Sequence, residues 1–577
     1  MATEVTDQFS NTVNAALTVD SNAPFSAAVA DGGVTEVDLP ARAPYQLGVF
    51  SVTGVSTLAV QAYLKALRSF TVTGSTALAI TSFVLKKRTF SLNGASALSL
   101  VAAKVARRVA ALTGQTSVSP EVLTLALRAA TIAGATAVVG AGEIYTPPAP
   151  GLSLDFTSGT YTDGTNTALA DITTFTRTST AWYMDASGAI QSASTGVARD
   201  AHHEYDGASW NRKLLLETDA ATNVNTSFTP DTNYAPIGGA AVSFNNADSP
   251  VGTGTAALWT ENTSNGVHTW RTNLVTVTST NRHTWSWLMK SNGRDHWIVT
   301  AGSSRVAGTI SGNSNWSVAI DLSAGTAVEA LGRTECGIED FGGGWYRVWM
   351  AFVPASVGVV PILFGARAVA GGSSVYTGDG TSGFWLDAGQ VTEGDFPFMF
   401  IPTSGSSVTR AAETLSVNAA SVPWSTTAMS FVFKGAASWM DSESTEEAIL
   451  FGSYVDASNT IDLSISGAGA DTGKLLATVE NGGTVETADG PSNTAAGYRK
   501  PISAGLRYTT SDLRAADSGT AGTNQTGVGG SIYDYATNSK TLTIGGDGNA
   551  YTFNGTIDLI EMWDSDVGAS QLETETA

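Results

Sequence analysis

Five times, at Gly54, Gly74, Gly94, Gly114 and Gly134, the chain returns to one short phrase at a step of twenty residues. The copies read F-S-V-T-G from Phe50, F-T-V-T-G from Phe70 and F-S-L-N-G from Phe90, then A-A-L-T-G from Ala110 and A-T-I-A-G from Ala130. Arg68, Arg88, Arg108 and Arg128 keep the same step. A fixed period of this length means one small unit stacked along an axis, each copy burying its apolar face against its neighbours because it cannot do so alone. The segment is therefore read as a shaft.

Within a copy, Phe70, Val72, Leu78, Ile80 and Val84 are interleaved with Thr71, Thr73, Ala79 and Thr81, the alternation of a strand with one buried face. Helix competes over V-A-A-K-V-A-R-R-V-A-A-L from Val101, but Phe90, Leu92, Leu98 and Leu100 of that copy stand in the columns of the clearer ones, so the strand reading is extended to it. The shaft is expected to pack through Phe50, Phe70 and Phe90, with the repeated glycines at bulges or corners that exclude a Cβ. Two geometries satisfy the period. In an interwound homotrimer, the assembly expected here, the apolar columns are buried against two other copies; a single-chain solenoid would instead rise by one strand spacing, about 5 Å, per repeat.

A chain of 577 residues exceeds one core, and its Gly, Thr, Ser and Ala content with regular turn signals fits an all-β protein of several domains. The net charge of −21 is uneven: residues 41–148 hold ten basic and two acidic residues, so the shaft carries +8 and the remainder −29. These cations recur with the repeat and no aromatic stacking platform accompanies them, so a solvated column or ion pairs with another chain is expected rather than nucleic-acid binding. Cys336 is the one cysteine, which excludes an intrachain disulfide scaffold. The opening M-A-T-E-V-T-D-Q-F-S has neither the basic start nor the apolar run of a signal peptide, and no stretch is long enough to span a membrane as a helix. Synthesis in a cytoplasm without membrane insertion is expected.

The paired prolines of T-P-P-A-P-G, from Thr146, mark a stiff boundary. Beyond it come L-D-F-T-S-G-T-Y, T-F-T-R-T-S-T-A-W-Y-M-D-A-S-G-A-I-Q from Thr174, and L-L-L-E-T-D-A-A-T-N from Leu214. D-F-G-G-G-W-Y-R-V-W from Asp340, Y-T-G-D-G-T-S-G-F-W from Tyr376 and F-I-P-T-S-G-S-S-V-T-R-A-A-E from Phe400 follow. This succession resembles a β-sandwich module of fibres and other virion proteins of tailed bacteriophages, associated with carbohydrate-binding-like jelly rolls. Farther on, M-S-F-V-F-K from Met429, T-I-D-L-S-I from Thr460, Y-R-K-P-I-S-A-G-L-R-Y from Tyr498, T-L-T-I-G-G from Thr541 and F-N-G-T-I-D-L-I-E-M-W from Phe553 resemble a concanavalin-like, laminin-G-type sandwich. The resemblances imply a virion-attachment segment at 1–40, a shaft at 41–145, a linker at 146–151, and sandwiches at 152–413 and 414–577.

Glucanases on a concanavalin-like sandwich carry Glu, Asp and Glu along one strand; here Asp558 and Glu561 are present but Thr556 holds the first place, so the double displacement lacks its nucleophile. His202, His203, His268, His283 and His296 show no zinc spacing, and Gly342 to Gly344, without a following Lys, read as a hairpin turn before Trp345. No catalytic residues are assigned. Oxygen-rich turns near Asp379 and Asp387 fit at most a structural calcium, the sole cofactor entertained. Sugars stack on exposed aromatic rings, which makes Trp270, Trp297, Trp345, Trp349 and Trp385 the candidate glycan-binding residues, with Trp285 and Trp287 beside them.

The resemblance thus implies a virion fibre, of tail or head, that adheres to host surface polysaccharide without catalysis and binds other virion proteins through its amino end. A purely structural decoration or connector, and a polysaccharide depolymerase, are the other roles such modules serve.

Overall fold

The computed structural model describes, as backbone, the strands within residues 15–133, and the chain from 148 to 577 apart from 238–239, 273–274, 302–315, 332–334, 355, 361, 440–447, 468–472, 494–496, 523–524, 527–531 and 549–552. It divides into two compact units, one of residues 1–149 with 567–575 and 577, the other of residues 150–566 with 576. Both are built of β-strands, as the turn-rich composition predicts.

In the first unit each repeat pairs with the next, parallel and in register. Phe50 lies opposite Phe70 and Val52 opposite Val72; Phe70 then lies opposite Phe90 and Val72 opposite Leu92. The other half of each copy behaves alike, Leu58 opposite Leu78 and Leu78 opposite Leu98. The stretch from Val101 is strand, not helix, within Ala97–Thr113. One chain therefore stacks its own rungs as a solenoid rising about 4.8 Å per repeat, which corrects the interwound shaft: twenty residues suffice to circle back beneath themselves, so like residues meet within the chain. Gly54, Gly74, Gly94, Gly114 and Gly134 lie outside the described residues.

The stack also begins earlier than the period suggests. Phe25–Ala30 and Val34–Asp38 join the same sheet, Ala27 opposite Phe50 and Val34 opposite Thr57, and Ala15 pairs with Val37. The segment 1–40, expected to attach the chain to a virion, thus contributes strands to the same sheet. These rungs need 23 or 22 residues instead of twenty, so a fixed step does not find them.

In the second unit the first and last strands meet. Leu152–Asp155 runs antiparallel to Asn554–Trp563, Leu152 opposite Met562, and Trp210–Glu217 continues along the same edge, Leu214 opposite Ile557. Ala428–Trp439, Gly497–Thr509 and Asp512–Asp517 extend this sheet on the other side. A second antiparallel sheet runs from Thr173–Thr176 through Thr414–Val417, Leu542–Ile544 and Ala448–Asp456 to Thr484–Asn493. Leu152, Leu154, Leu214, Leu216, Phe431, Phe433, Phe451 and Ile560 fill the space between the sheets. Residues 152–217 therefore belong with 414–566 in one sandwich, which moves the expected division at 413.

The other sandwich is inserted into it. Its two six-stranded sheets run between Ala235–Ile237 and Gly383–Glu393, around a core of Trp259, Trp270, Trp285, Trp287, Trp297, Phe364 and Phe384. It meets the first sandwich through a smaller apolar cluster of Leu215, Leu288, Trp345, Met399 and Phe400, and through Trp349 and Glu339 against Tyr498. The run L-L-L is thus buried on both faces: Leu214 and Leu216 face one core, Leu215 the seam.

Where the chain leaves and re-enters the first sandwich, five ionic side chains are buried together. Glu413 accepts from Arg177 Nη1 at 2.7 Å, from Arg199 Nε at 2.9 Å and from the Glu217 amide at 2.9 Å. Glu217 accepts from Arg199 Nη2 at 2.9 Å and from the Met399 amide at 2.7 Å, and Arg410 Nε lies 3.3 Å away. Arg410 also donates to the carbonyls of Glu217 and Ala411, and Arg177 to those of Ala193 and Ser194. Burial pushes the Glu217 carboxyl up, but Arg410 and Arg199 outweigh it and hold it down at about 2 against an ordinary 4.5.

Two measurements test this architecture. Deleting one whole rung, residues 74–93, should leave the far-UV circular dichroism of the shaft intact, whereas deleting 74–83 should open it to protease; equal tolerance of both would rule out stacked rungs. Glu413→Gln should cost about 3–5 kcal/mol in urea denaturation, because two buried guanidinium groups lose their shared anion. Since Glu217 is depressed in the folded state, its contribution is full above pH 4.5 and is lost as pH falls toward about 2; Glu217→Gln should flatten the stability profile across that window.

Candidate functional site

The tryptophans expected to hold sugar are mostly enclosed. Trp270 and Trp297 lie in the core of the inserted sandwich, 5.5 and 4.2 Å from the ring of Phe384, as do Trp285 and Trp287. Trp345 and Trp349 sit on the opposite face of their strand from Val348 and Met350, but that face is covered too, leaving them 6% and 5% exposed. Trp349 packs 5.8 Å from Phe396 and 5.4 Å from Tyr498. The close cover needs Gly337, where a Cβ would meet the Trp349 ring at 2.6 Å. Of the five candidates only Trp385 is half-buried. The correction has one cause: alternation shows which residues share a face, and here both faces of the strand Trp345–Phe352 are packed.

The other expected sites are occupied by internal partners. Asp387 is fully buried and accepts from the hydroxyls of Ser249 and Thr255, and burial pushes its carboxyl above the usual range despite them. Asp379 accepts from the amides and hydroxyls of Thr381 and Ser382, closing its own turn. Among the described residues no three His, Cys, Asp or Glu side chains gather to hold a metal ion, so neither turn supports the calcium expectation. His202 is enclosed, its Nδ1 accepting from the Met184 amide. Asp558 is bound by Lys213 Nζ at 2.7 Å, and Glu561, buried, accepts from Ser153. Gly342, Gly343 and Gly344 all have positive φ and form the expected hairpin turn before Trp345.

A cleft of about 140 Å³ opens where the inserted sandwich returns across the strand ends of the first. The return segment 394–398 forms one wall, with Gly394 at φ +137° letting the chain turn there. Ser438 and Trp439 at the end of Ala428–Trp439, Tyr498 and Arg499 near the start of Gly497–Thr509, Asn554 and Gly555, and Leu215, Glu217 and Asp219 supply the rest. Apolar rings (Phe396, Phe398, Trp439, Tyr498) and polar groups (Asp219, Asp395, Asn554) line the same space.

Most of these polar groups are oriented by neighbours. Asn554 Nδ2 donates to Asp219 at 2.7 Å, Arg282 Nε lies 3.2 Å from Asp395, and Tyr498 donates to Glu339 at 3.2 Å. Burial opposes the charge of Arg499, yet Tyr498, Glu204 and Glu339 beside it hold its guanidinium above the usual arginine range. The exception is Trp439. Its ring is only 7% exposed, and its indole N–H has no hydrogen-bond partner. A buried donor left unpaired costs about 1–3 kcal/mol, and Trp259, Trp270, Trp285 and Trp287 carry the same unpaired indole N–H in the core of the inserted sandwich.

The volume holds one ring-sized group, well below the roughly 300–1,000 Å³ of drug-sized pockets. Rings for C–H contact beside fixed carboxylates and an amide are the chemistry that grips a polyhydroxylated ring. Neither Asp558 nor Glu561 lines the cleft. Sequence reasoning passed over Trp439, Tyr498 and Phe396; Tyr498 stood at the head of a quoted phrase, but nothing local indicates that strand ends from two sandwiches converge on it.

Among the described residues no helix is long and apolar enough to cross a membrane. No protein-family model matches the chain, and no curated protein matches it. Among solved structures, a mutant NanB sialidase from Streptococcus pneumoniae is 14% identical over 28% of this chain and 26% of its own, with a TM-score of 0.22. The CBM40 of Ruminococcus gnavus IT-sialidase, bound to alpha2,3 sialyllactose, is 15% identical over 26% of this chain and 84% of its own, at 0.22. Domain 4 of AbnA, a GH43 extracellular arabinanase from Geobacillus stearothermophilus, in complex with arabinotriose, is 12% identical over 29% of this chain and 73% of its own, at 0.23. The chain thus spans about a quarter of the sialidase's length, and each likeness covers less than a third of this chain.

Proposed function

We propose that this chain is a non-catalytic glycan-binding protein whose cleft at the seam between the sandwiches takes a terminal sugar residue. The observation that carries the reading is a cleft that sets Phe396, Phe398, Trp439 and Tyr498 beside Asp219, Asp395 and Asn554. These rings offer C–H contact to a sugar, while the carboxylates and the amide take its hydroxyls. The engagement of Asp558 by Lys213 and the burial of Glu561 support binding without hydrolysis.

The reading extends to a virion fibre that adheres to host surface polysaccharide and assembles with other virion proteins, the solenoid spacing the sandwiches from the particle. A homotrimer is the assembly proposed, since several weak single-residue sites then act together. A second reading, a structural connector, draws on the burial of Trp270, Trp297, Trp345 and Trp349.

A glycan array probed with the full chain separates them. Binding to a defined terminal sugar is expected, and Trp439→Ala, which removes one ring from the cleft wall, should weaken it at least about 5-fold. Asn554→Ala should do likewise. Silence of the array at high display density would favour the connector, and release of new reducing ends from polysaccharide would overturn the non-catalytic assignment. Light scattering should give the mass of three chains; a monomer would remove the multivalent part of the proposal.

A further inference from the structure

The shaft carries a charge pattern that the cleft does not use. The register sets Arg88 opposite Arg108, Lys86 opposite Ala106 and Val84 opposite Lys104. Ser69 pairs with Thr89, so Arg68 ends up one step before that pair in the preceding rung, as Arg88 does in its own. Three adjacent rungs thereby bring Arg68, then Lys86, Lys87 and Arg88, then Lys104, Arg107 and Arg108 to one stretch of the solenoid, within about 10 Å of its axis. Across 41–120 the sequence has neither Asp nor Glu, so no carboxylate of these rungs balances the seven cations.

Isolated basic residues on a strand are ordinary solvated groups, but in-register stacking turns a repeated cation into a row. Like charges directly opposite one another repel, and here Arg88 stands directly opposite Arg108, with the other cations displaced by a few residues along the same rungs. A polymer of anions laid along the row relieves the repulsion across these rungs and releases its own condensed counterions. The stretch from Phe83 to Arg108 offers only Phe83 and Phe90 as aromatic residues, too few for the base-stacking platform that single-stranded nucleic acid requires.

We propose that this stretch of the shaft binds a linear acidic polysaccharide, one with carboxylate or phosphate groups on successive sugars, along the solenoid axis. The site is separate from the cleft and stands or falls without it.

Titration of the full chain with polygalacturonate, with neutral dextran and with a single-stranded oligonucleotide tests the assignment. Polygalacturonate should bind, dextran should not, and affinity should fall about 100-fold between roughly 50 and 200 mM salt, as several ion contacts require. Joint replacement Lys86→Gln, Lys87→Gln and Arg88→Gln should weaken binding at least about 10-fold. The charge-keeping pair Lys86→Arg and Lys87→Arg should not, and Arg107→Gln with Arg108→Gln provides an independent loss in the next rung. Circular dichroism identifies any variant that has lost its strands. Trp439→Ala should leave polygalacturonate binding unchanged, which distinguishes this site from the cleft. Equal affinity of the triple variant and the parent, or no binding at low salt, would overturn the proposal; tighter binding of the oligonucleotide would overturn the choice of polysaccharide.

Discussion

Everything in the second unit hangs on the buried group of Arg177, Arg199, Glu217, Arg410 and Glu413. These residues come from four places along the chain: Glu217 stands where it leaves the first sandwich, Arg410 and Glu413 where it re-enters, and Arg177 and Arg199 on either side of the hairpin of Ala181–Met184 and Ile190–Ala193. Three cations face two anions; the excess is met by backbone carbonyls, which also satisfies the carbonyls of segments that leave their sheets. A planar guanidinium binds in a few fixed directions, so the network sets the angle at which each segment passes. An apolar patch of equal size would hold the segments without fixing those angles. The geometry costs desolvation, and removing one member leaves another charge buried alone.

That dependence explains what could be read from the sequence. The phrases that carried the likeness to virion β-sandwich modules include T-F-T-R, L-L-L-E and V-T-R-A-A-E, and their charged residues, Arg177, Glu217, Arg410 and Glu413, are the members of this group other than Arg199. The β-sandwich they implied is present, and these charged residues serve its internal packing. The alternation in the repeats gave the strands of the shaft, and the hairpin at Gly342 to Gly344 followed from three consecutive glycines. The insertion could not be read: Leu152 and Met562 are neighbours through a ladder between opposite ends of the unit, and no local pattern reports so distant a pairing. The tryptophans failed for a related reason, because one strand cannot show what covers its second face.

The cleft belongs to the same junction. Two convex bodies packed through Leu215, Leu288, Met399 and Phe400 leave a gap at the margin of contact, and strand ends supply its walls. Clefts at such boundaries are common binding places because they combine apolar side chains from the packed interior with polar ends of strands. Here the rigid ladders on either side fix the walls, so a ligand meets a formed site and little ordering cost remains.

The pairing of first and last strands also decides how the molecule carries tension. A pull along Leu152–Asp155 enters a strand held on one side by Thr160–Thr162 and on the other by Leu559–Met562. Hydrogen bonds of an antiparallel ladder drawn along the strand share the force and yield together, whereas a hairpin peeled from its end loses them one at a time. The inserted sandwich lies outside that path. Force arriving from the linker can pass into the closing strand of the chain while the tryptophan-rich core beside it remains unloaded.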